Sequence, residues 1–171
     1  MKELIYNQTQ IPRYRWRYGL RSSAAVGCGW IAVYNALHLM GYEAKPAALI
    51  RSFTRQLPIL NGPLGTFFLQ PALYLKKQGF PVTISVRRRR FDALVKESRA
   101  CVLFYYWRRK RRLGAHFVAL QYRDGNVMGY NTFRNSTGPD NYGPSLSRFL
   151  KKQKYFFPVL TAIRDKQNHE A

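Results

Sequence analysis

Apolar and polar positions divide the chain into a helical first half and a strand-rich second half. No Lys, Arg, Asp or Glu occurs between Ala24 and Tyr42. That run predicts a helix from about Cys28 to Met40, apolar on nearly every face and ended by Gly41. A proline suits a first helical turn, so Pro46 opens a second helix near 46–56. Asn61-Gly62-Pro63-Leu64-Gly65 reads as a loop. Thr66 is placed to cap a third helix running to about Lys77, with Gly79 beyond it and Pro71 delaying or kinking its start. The period then shortens. Pro81–Val86, Cys101–Trp107, Ala115–Arg123, Val127–Phe133 and Tyr155–Ile163 read as strands, rich in β-branched and aromatic residues. Phe91–Arg99 and Ser145–Lys152 read as short amphipathic helices. Residues 135–143 read as a polar loop. Helices followed by an antiparallel sheet make an α+β fold. No repeat or low-complexity linker interrupts it, so residues 1–171 form a single domain with an irregular basic arm (1–23) and a loose tail (164–171).

Composition supports a packed fold. The chain has 171 residues, 46% of them hydrophobic and 15% aromatic, which excludes a disordered polymer. Charge adds a second feature: 29 Lys and Arg against 8 Asp and Glu, a net +21. Such a surface attracts polyanions and says nothing about fold. The uncharged run after Arg13–Arg21 has the outline of a signal anchor, but Asn35, His38 and several glycines suit hydrocarbon poorly. It reads as a buried helix, and membrane association is not expected. The N-terminus lacks a secretory apolar core, which points to the cytoplasm. Two cysteines, Cys28 and Cys101, make no disulfide framework, although a bridge between them stays open. The cysteines with His38, His116 and His169 form no zinc-ligand spacing, so neither metal nor cofactor is expected.

Three groups suggest chemistry. Cys28 stands at a predicted helix start, where the helix dipole favours a thiolate. His116 lies on the apolar strand Ala115–Arg123. Asp124-Gly125 is a tight-hairpin signal. If these two residues are the whole loop, Arg123 faces Asn126 and Val118 faces Asn131. His116 and Asn131 then share a face as diagonal neighbours. A nucleophilic thiol, an imidazole base and an amide orienting the ring from its far side form one kind of catalytic site. Taken singly, each residue is explained as well by packing. Their combination carries the argument. The glycines around Cys28 would admit a substrate backbone, and Trp30 is a candidate substrate contact.

Cys28-Gly29-x-x-Ala32, with Asn35-Ala36-Leu37 and Gly41, resembles the nucleophile helix of papain-like cysteine peptidases. Within that superfamily the chain is most similar to the bacterial double-glycine peptidases that trim bacteriocin leaders. Leu64-Gly65-Thr66 through Phe80 resembles their second helical block. Ala115-His116-Phe117-Val118-Ala119-Leu120, the hairpin and Tyr130-Asn131 resemble their histidine strand and its partner. The likeness spans roughly residues 20–133. It implies a papain-like fold with the nucleophile on a buried central helix, Cys28 as nucleophile, His116 as general base and Asn131 as the residue orienting it. One departure stands out. The family usually has an oxyanion-donating glutamine about six residues before the cysteine, where this chain has Ser22. Ser22, Ser23, Gln8 and Gln10 are the candidate substitutes. Otherwise the chemistry is lost or changed, since losing such a donor costs about 100- to 1000-fold in rate.

Three basic runs remain: Arg13–Arg21 with interleaved Tyr and Trp, Arg87–Arg90, and Arg108–Arg112. The last precedes His116 and is expected to overhang the cleft. Arg108, Arg109, Arg111 and Arg112 are therefore candidate contacts for an acidic peptide or protein substrate. The leading expectation is a thiol-dependent hydrolase or acyltransferase. The competing ones are a nucleic-acid-binding module, with Tyr14, Trp16 and Tyr18 stacking on bases, and a catalytically silent papain-like adaptor. Nothing in the sequence sets an oligomeric state.

Overall fold

The computed structural model describes residues 4–55 and 66–166. The loop expected at 61–65 and the end of the tail, 167–171, lie outside the described residues. Strands β1 (Arg17–Tyr18) and β2 (Arg21–Ser22) form a small hairpin. Helices α1 (Ser23–Val26), α2 (Cys28–Leu39), α3 (Pro46–Arg55) and α4 (Gln70–Lys77) follow. The second half contributes β3 (Val82–Ser85), α5 (Phe91–Glu97), β4 (Ala100–Arg109), β5 (Arg112–Arg123), β6 (Asn126–Tyr130), β7 (Asp140–Asn141), α6 (Leu146–Lys152) and β8 (Phe156–Ile163). The six strands β3-β8-β4-β5-β6-β7 make one antiparallel sheet. The fold is α+β, helices first.

The sheet separates two apolar layers. Val102, Phe104, Phe117, Ala119, Tyr130 and Val159 pack with α2 and its neighbours. Cys101, Leu103, Val118, Leu120 and Leu160 pack with α5 and α6 on the other face. Alternate residues along each strand serve alternate layers, as the pleat requires. The two thiols lie on opposite layers and are both free, so the possible bridge is absent.

Helix α2 has no solvent face: Gly29 to Leu37 are all buried. Its one strongly polar interior residue, Asn35, is fully buried and accepts the Ile5 amide (2.9 Å) while donating to the Ile5 carbonyl (2.8 Å). A buried amide needs such partners, and this pair ties the N-terminal arm to the helix. Among the described residues, no helix is long and apolar enough to cross a membrane.

Several boundaries move for physical reasons. Helix α4 starts at Gln70, with Pro71 in its first turn, where a missing N–H costs nothing. Thr66 does not cap it. Thr66 hydrogen-bonds Tyr18 Oη at 3.1 Å and packs on α2. The arm contains a 3-10 turn (Gln8–Gln10), the β1–β2 hairpin and α1, in place of irregular chain. Arg164 to Lys166 are docked: the Arg164 amide donates to Pro81, Asp165 pairs with Arg99 at 3.1 Å, and Lys166 sits over Phe80.

The glycines beside Cys28 are filled by the chain's own atoms and do not admit a substrate. A Cβ on Gly29 would lie 2.5 Å from the Thr66 Cβ, and one on Gly27 would lie 2.7 Å from Trp30 Nε1. Gly29→Ala therefore overpacks the α2–Thr66 contact and costs about 1–3 kcal/mol, read as a lower urea midpoint. An unchanged midpoint would show that Thr66 does not press on this helix.

Candidate active site

The hairpin register matches the two-residue turn. Arg123 pairs with Asn126 and Ala119 with Tyr130, and Gly125 supplies a φ of +79°. Strand β6 then stops early. Asn131 has a φ of +65°, a left-handed conformation that Asn tolerates better than most residues. This residue ends the strand three positions before the expected Phe133. It also leaves one edge of β5 without a β6 partner from Val118 back to Arg112.

Cys28 occupies that edge. The Phe117 amide, two residues beyond the last β5–β6 pair, donates to the Cys28 thiol. The amides of Cys28 and Gly29, unclaimed donors of the first helical turn, also point at the sulfur. The strand carrying His116 is thus held against the nucleophile candidate by the very next residue.

His116 Nε2 lies 2.6 Å from the main-chain oxygen of Asn131. A carbonyl has no proton to give, so Nε2 carries the hydrogen and donates it. In the neutral ring, Nδ1 is then the basic nitrogen. The link comes from the backbone of Asn131 and not from its amide, which corrects the expected geometry. The left-handed turn takes the side chain out of strand alternation. Asn131 Oδ1 accepts the Gln8 amide at 2.8 Å, and Nδ2 donates to Gln8 Oε1 at 3.0 Å. Tyr105, paired with His116 across the strands, meets the ring edge-on at 6.1 Å.

Electrostatics favour a neutral resting pair. Burial pushes the Cys28 thiol up to about 11, outweighing the amides that favour the thiolate. Burial also lowers His116, partly offset by the Asn131 carbonyl. Burial thus works against the thiolate expected from the helix start.

The other candidates separate. Trp30 is fully buried, donates to Ser23 Oγ at 3.1 Å and packs edge-on against Trp16, so it is a core residue and not a substrate contact. Ser23 is fully buried and spent on Trp30. Ser22 precedes α1 and pairs with Arg17 across the small hairpin. Gln10 is exposed. Gln8 is buried, its Nε2 donating to the Ala24 carbonyl at 3.2 Å. Arg108, Arg109, Arg111 and Arg112 form the exposed tip of the β4–β5 hairpin, where Arg109 pairs with Arg112. Arg112 lies four residues along β5 from His116, roughly 13 Å. Of the rings Tyr14, Trp16 and Tyr18 in the arginine-rich arm, only Tyr14 is exposed. Tyr18 is buried, and Trp16 packs on Trp30 with Arg15 over its ring, which removes the expected stacking row. No group of three or more metal-ligating side chains occurs among the described residues.

By sequence alone the chain matches no protein-family profile and no curated protein. By structure it is similar to the peptidase domain of Streptococcus ComA, a bifunctional ABC transporter involved in quorum sensing. The TM-score is 0.50 at 15% identity, over 79% of this chain and 90% of that domain. The two share an α+β fold. Within this fold, sequence reading missed Tyr105, the Phe117 amide and the true partner of Gln8. Tyr105 was recoverable from a two-residue Lys110-Arg111 turn. The other two depend on contacts between distant segments.

Thiol ionisation gives a direct check. Alkylation of Cys28 should still be climbing at about pH 10, above any base-assisted rate near neutrality, with no levelling-off near the free-thiol value of about 8.5. A rate that saturates between about pH 7 and 9 would contradict a thiol held near 11. Cys101, buried and pushed up to about 12, affects stability. Its contribution is complete below the unfolded value near 8.5 and is lost as pH rises toward the folded value. Cys101→Ala should remove up to about 1.4 kcal/mol per pH unit from the alkaline decline in unfolding free energy.

Proposed function

We propose that the chain is a cysteine peptidase, hydrolysing a peptide or protein with acidic character through Cys28, His116 and Asn131. The observation that supports this reading is the Phe117 amide on the Cys28 thiol, with His116 the preceding residue of the same strand and tied to Asn131. His116 Nδ1 takes the thiol proton as the sulfur attacks the scissile carbonyl carbon. The proton moves with attack, as suits a neutral pair. The amides of Cys28 and Gly29 are the donors nearest the developing oxyanion. Collapse of the tetrahedral adduct breaks the C–N bond, and the imidazolium returns its proton to the leaving amine. Water then hydrolyses the thioester by the same base; an amine in its place would give acyl transfer. The exposed cations of the β4–β5 tip support an acidic substrate.

Acyl-enzyme trapping tests this reading. With an acidic peptide ester, wild-type protein should gain the acyl mass on Cys28. Cys28→Ala should gain none, and His116→Ala should acylate at least about 1000-fold more slowly. Equal labelling of Cys28→Ala would end the proposal. Neutralising Arg108, Arg109, Arg111 and Arg112 should slow acylation at low salt and leave it little changed at high salt.

A second reading has its own support. Arg88 donates to the Tyr155 carbonyl, and Ser147 Oγ donates to the Arg88 carbonyl at 2.8 Å. These bonds tie the Arg87–Arg90 turn to the first turn of α6 and to Tyr155 just past its end, and the exposed Lys151, Lys152 and Lys154 lie between those two points along the chain. The neighbouring Asp92 carboxylate is spent on Ser145 and Ser147. We propose this assembled patch as a nucleic-acid-binding surface. For duplex DNA, joint replacement of Arg87, Arg89 and Lys151 by Ala should reduce the log K against log salt slope by about 2 to 3, with Cys28→Ala inert. An unaltered slope would remove the patch from consideration.

A further inference from the structure

Resting on the peptidase reading, we infer that Gln8 is a positioning residue for His116, acting through the side chain of Asn131, and is not the oxyanion donor. The argument begins with the ring's partner. The His116 link depends on where a main-chain carbonyl points, and a carbonyl is aimed by backbone torsions. At Asn131 those torsions are left-handed, a conformation that needs support. The described hydrogen bonds of the Asn131 side chain both go to Gln8. The two residues, 123 positions apart, hold each other in a two-bond clasp at 2.8 and 3.0 Å.

Gln8 is itself anchored. Its Nε2 donates to Ala24, four residues before Cys28. Asn7 donates to the Arg134 carbonyl, Tyr6 stacks on Tyr130, and Asn35 holds Ile5. The arm from Ile5 to Gln8 is thus laced to both sides of the turn that carries the Asn131 carbonyl. An oxyanion donor must keep its amide N–H aimed at substrate. Gln8 instead spends its Oε1 on Asn131 and an Nε2 hydrogen on Ala24. The family likeness would put an imidazole-orienting side chain at 131. Here the side chain holds the backbone, and the backbone holds the ring.

The consequence is a fixed tautomer. With the clasp intact, Nε2 keeps the hydrogen and Nδ1 is free to accept the thiol proton. With the clasp broken, the carbonyl swings away and the ring samples both tautomers. A wrong tautomer disables a catalytic imidazole even when it stays in place.

Nitrogen-15 NMR of the His116 ring at neutral pH reads the tautomer directly, whether or not the protein turns over any substrate. Wild type should show the Nε2–H form, and Gln8→Ala a mixture. Alkylation of Cys28 by iodoacetamide forms no oxyanion, so loss of an oxyanion donor leaves its rate untouched. In Gln8→Ala that rate should fall by about tenfold or more near neutral pH, through the lost base. Both variants keep the main-chain bond to Asn131 Oδ1; Gln8→Asn also keeps a shorter side-chain amide and should give a smaller shift of both readouts. It also provides the test if Gln8→Ala does not fold. Unchanged tautomer and alkylation with reduced acylation would make Gln8 an oxyanion donor and overturn the inference. No change in any readout would overturn it as well. A tautomer shift in a protein that never acylates Cys28 would sustain the clasp and sink the peptidase reading.

Discussion

A helix without a polar face must be covered on every side, and α2 is such a helix. Its burial organises the molecule. The sheet supplies one wall through Phe117, Ala119 and Tyr130, while α3 and α4 supply others. The N-terminal arm completes the cover, fastened where Asn35 would otherwise be an orphaned amide in an apolar interior. Desolvating that amide without partners would cost on the order of 1–3 kcal/mol. The residue that interrupts the apolar run of α2 thus specifies where the arm must lie.

The site arises where regular structure ends. Strand β6 stops at the left-handed Asn131, and the start of α2 moves into the vacated edge of β5. A helix start offers unclaimed amides, a broken sheet edge offers another, and the thiol collects both kinds. Burial that keeps this junction rigid also suppresses charge. It raises the thiol and lowers the imidazole, so each resists ionising alone.

Charge follows a different logic from packing. Among the described residues the ion pairs are exposed and few: Arg99–Asp165, Arg123–Asp124 and Arg164–Glu97. Such pairs add little to stability. Most cations therefore remain as field sources. Folding concentrates them at the β4–β5 tip and at the Arg87–Arg90 turn, which the Arg88 side chain on the Tyr155 carbonyl and Ser147 Oγ on the Arg88 carbonyl tie to the α6 segment. The Tyr14–Tyr18 run shows the reverse effect: its Trp16 and Tyr18 rings turn inward, which leaves Tyr14 as its one exposed ring.

Much of the fold was legible in local pattern. The uncharged run set α2, Gly41 its end, and Asp124-Gly125 the register that pairs Arg123 with Asn126. Turn chemistry and apolar period act over a few residues, so they can be read without knowing what lies opposite. The placing of Cys28 at a helix start and His116 on its strand was legible for the same reason. Tertiary structure alone decided the rest. Trp30 became core because Ser23 and Trp16 close over it. Asn131 turned its carbonyl to His116 because Gln8, distant in sequence, takes its side chain. The thiol stayed protonated because desolvation depends on everything packed around it. Such terms sum over contacts between remote segments, and no window along the chain contains them.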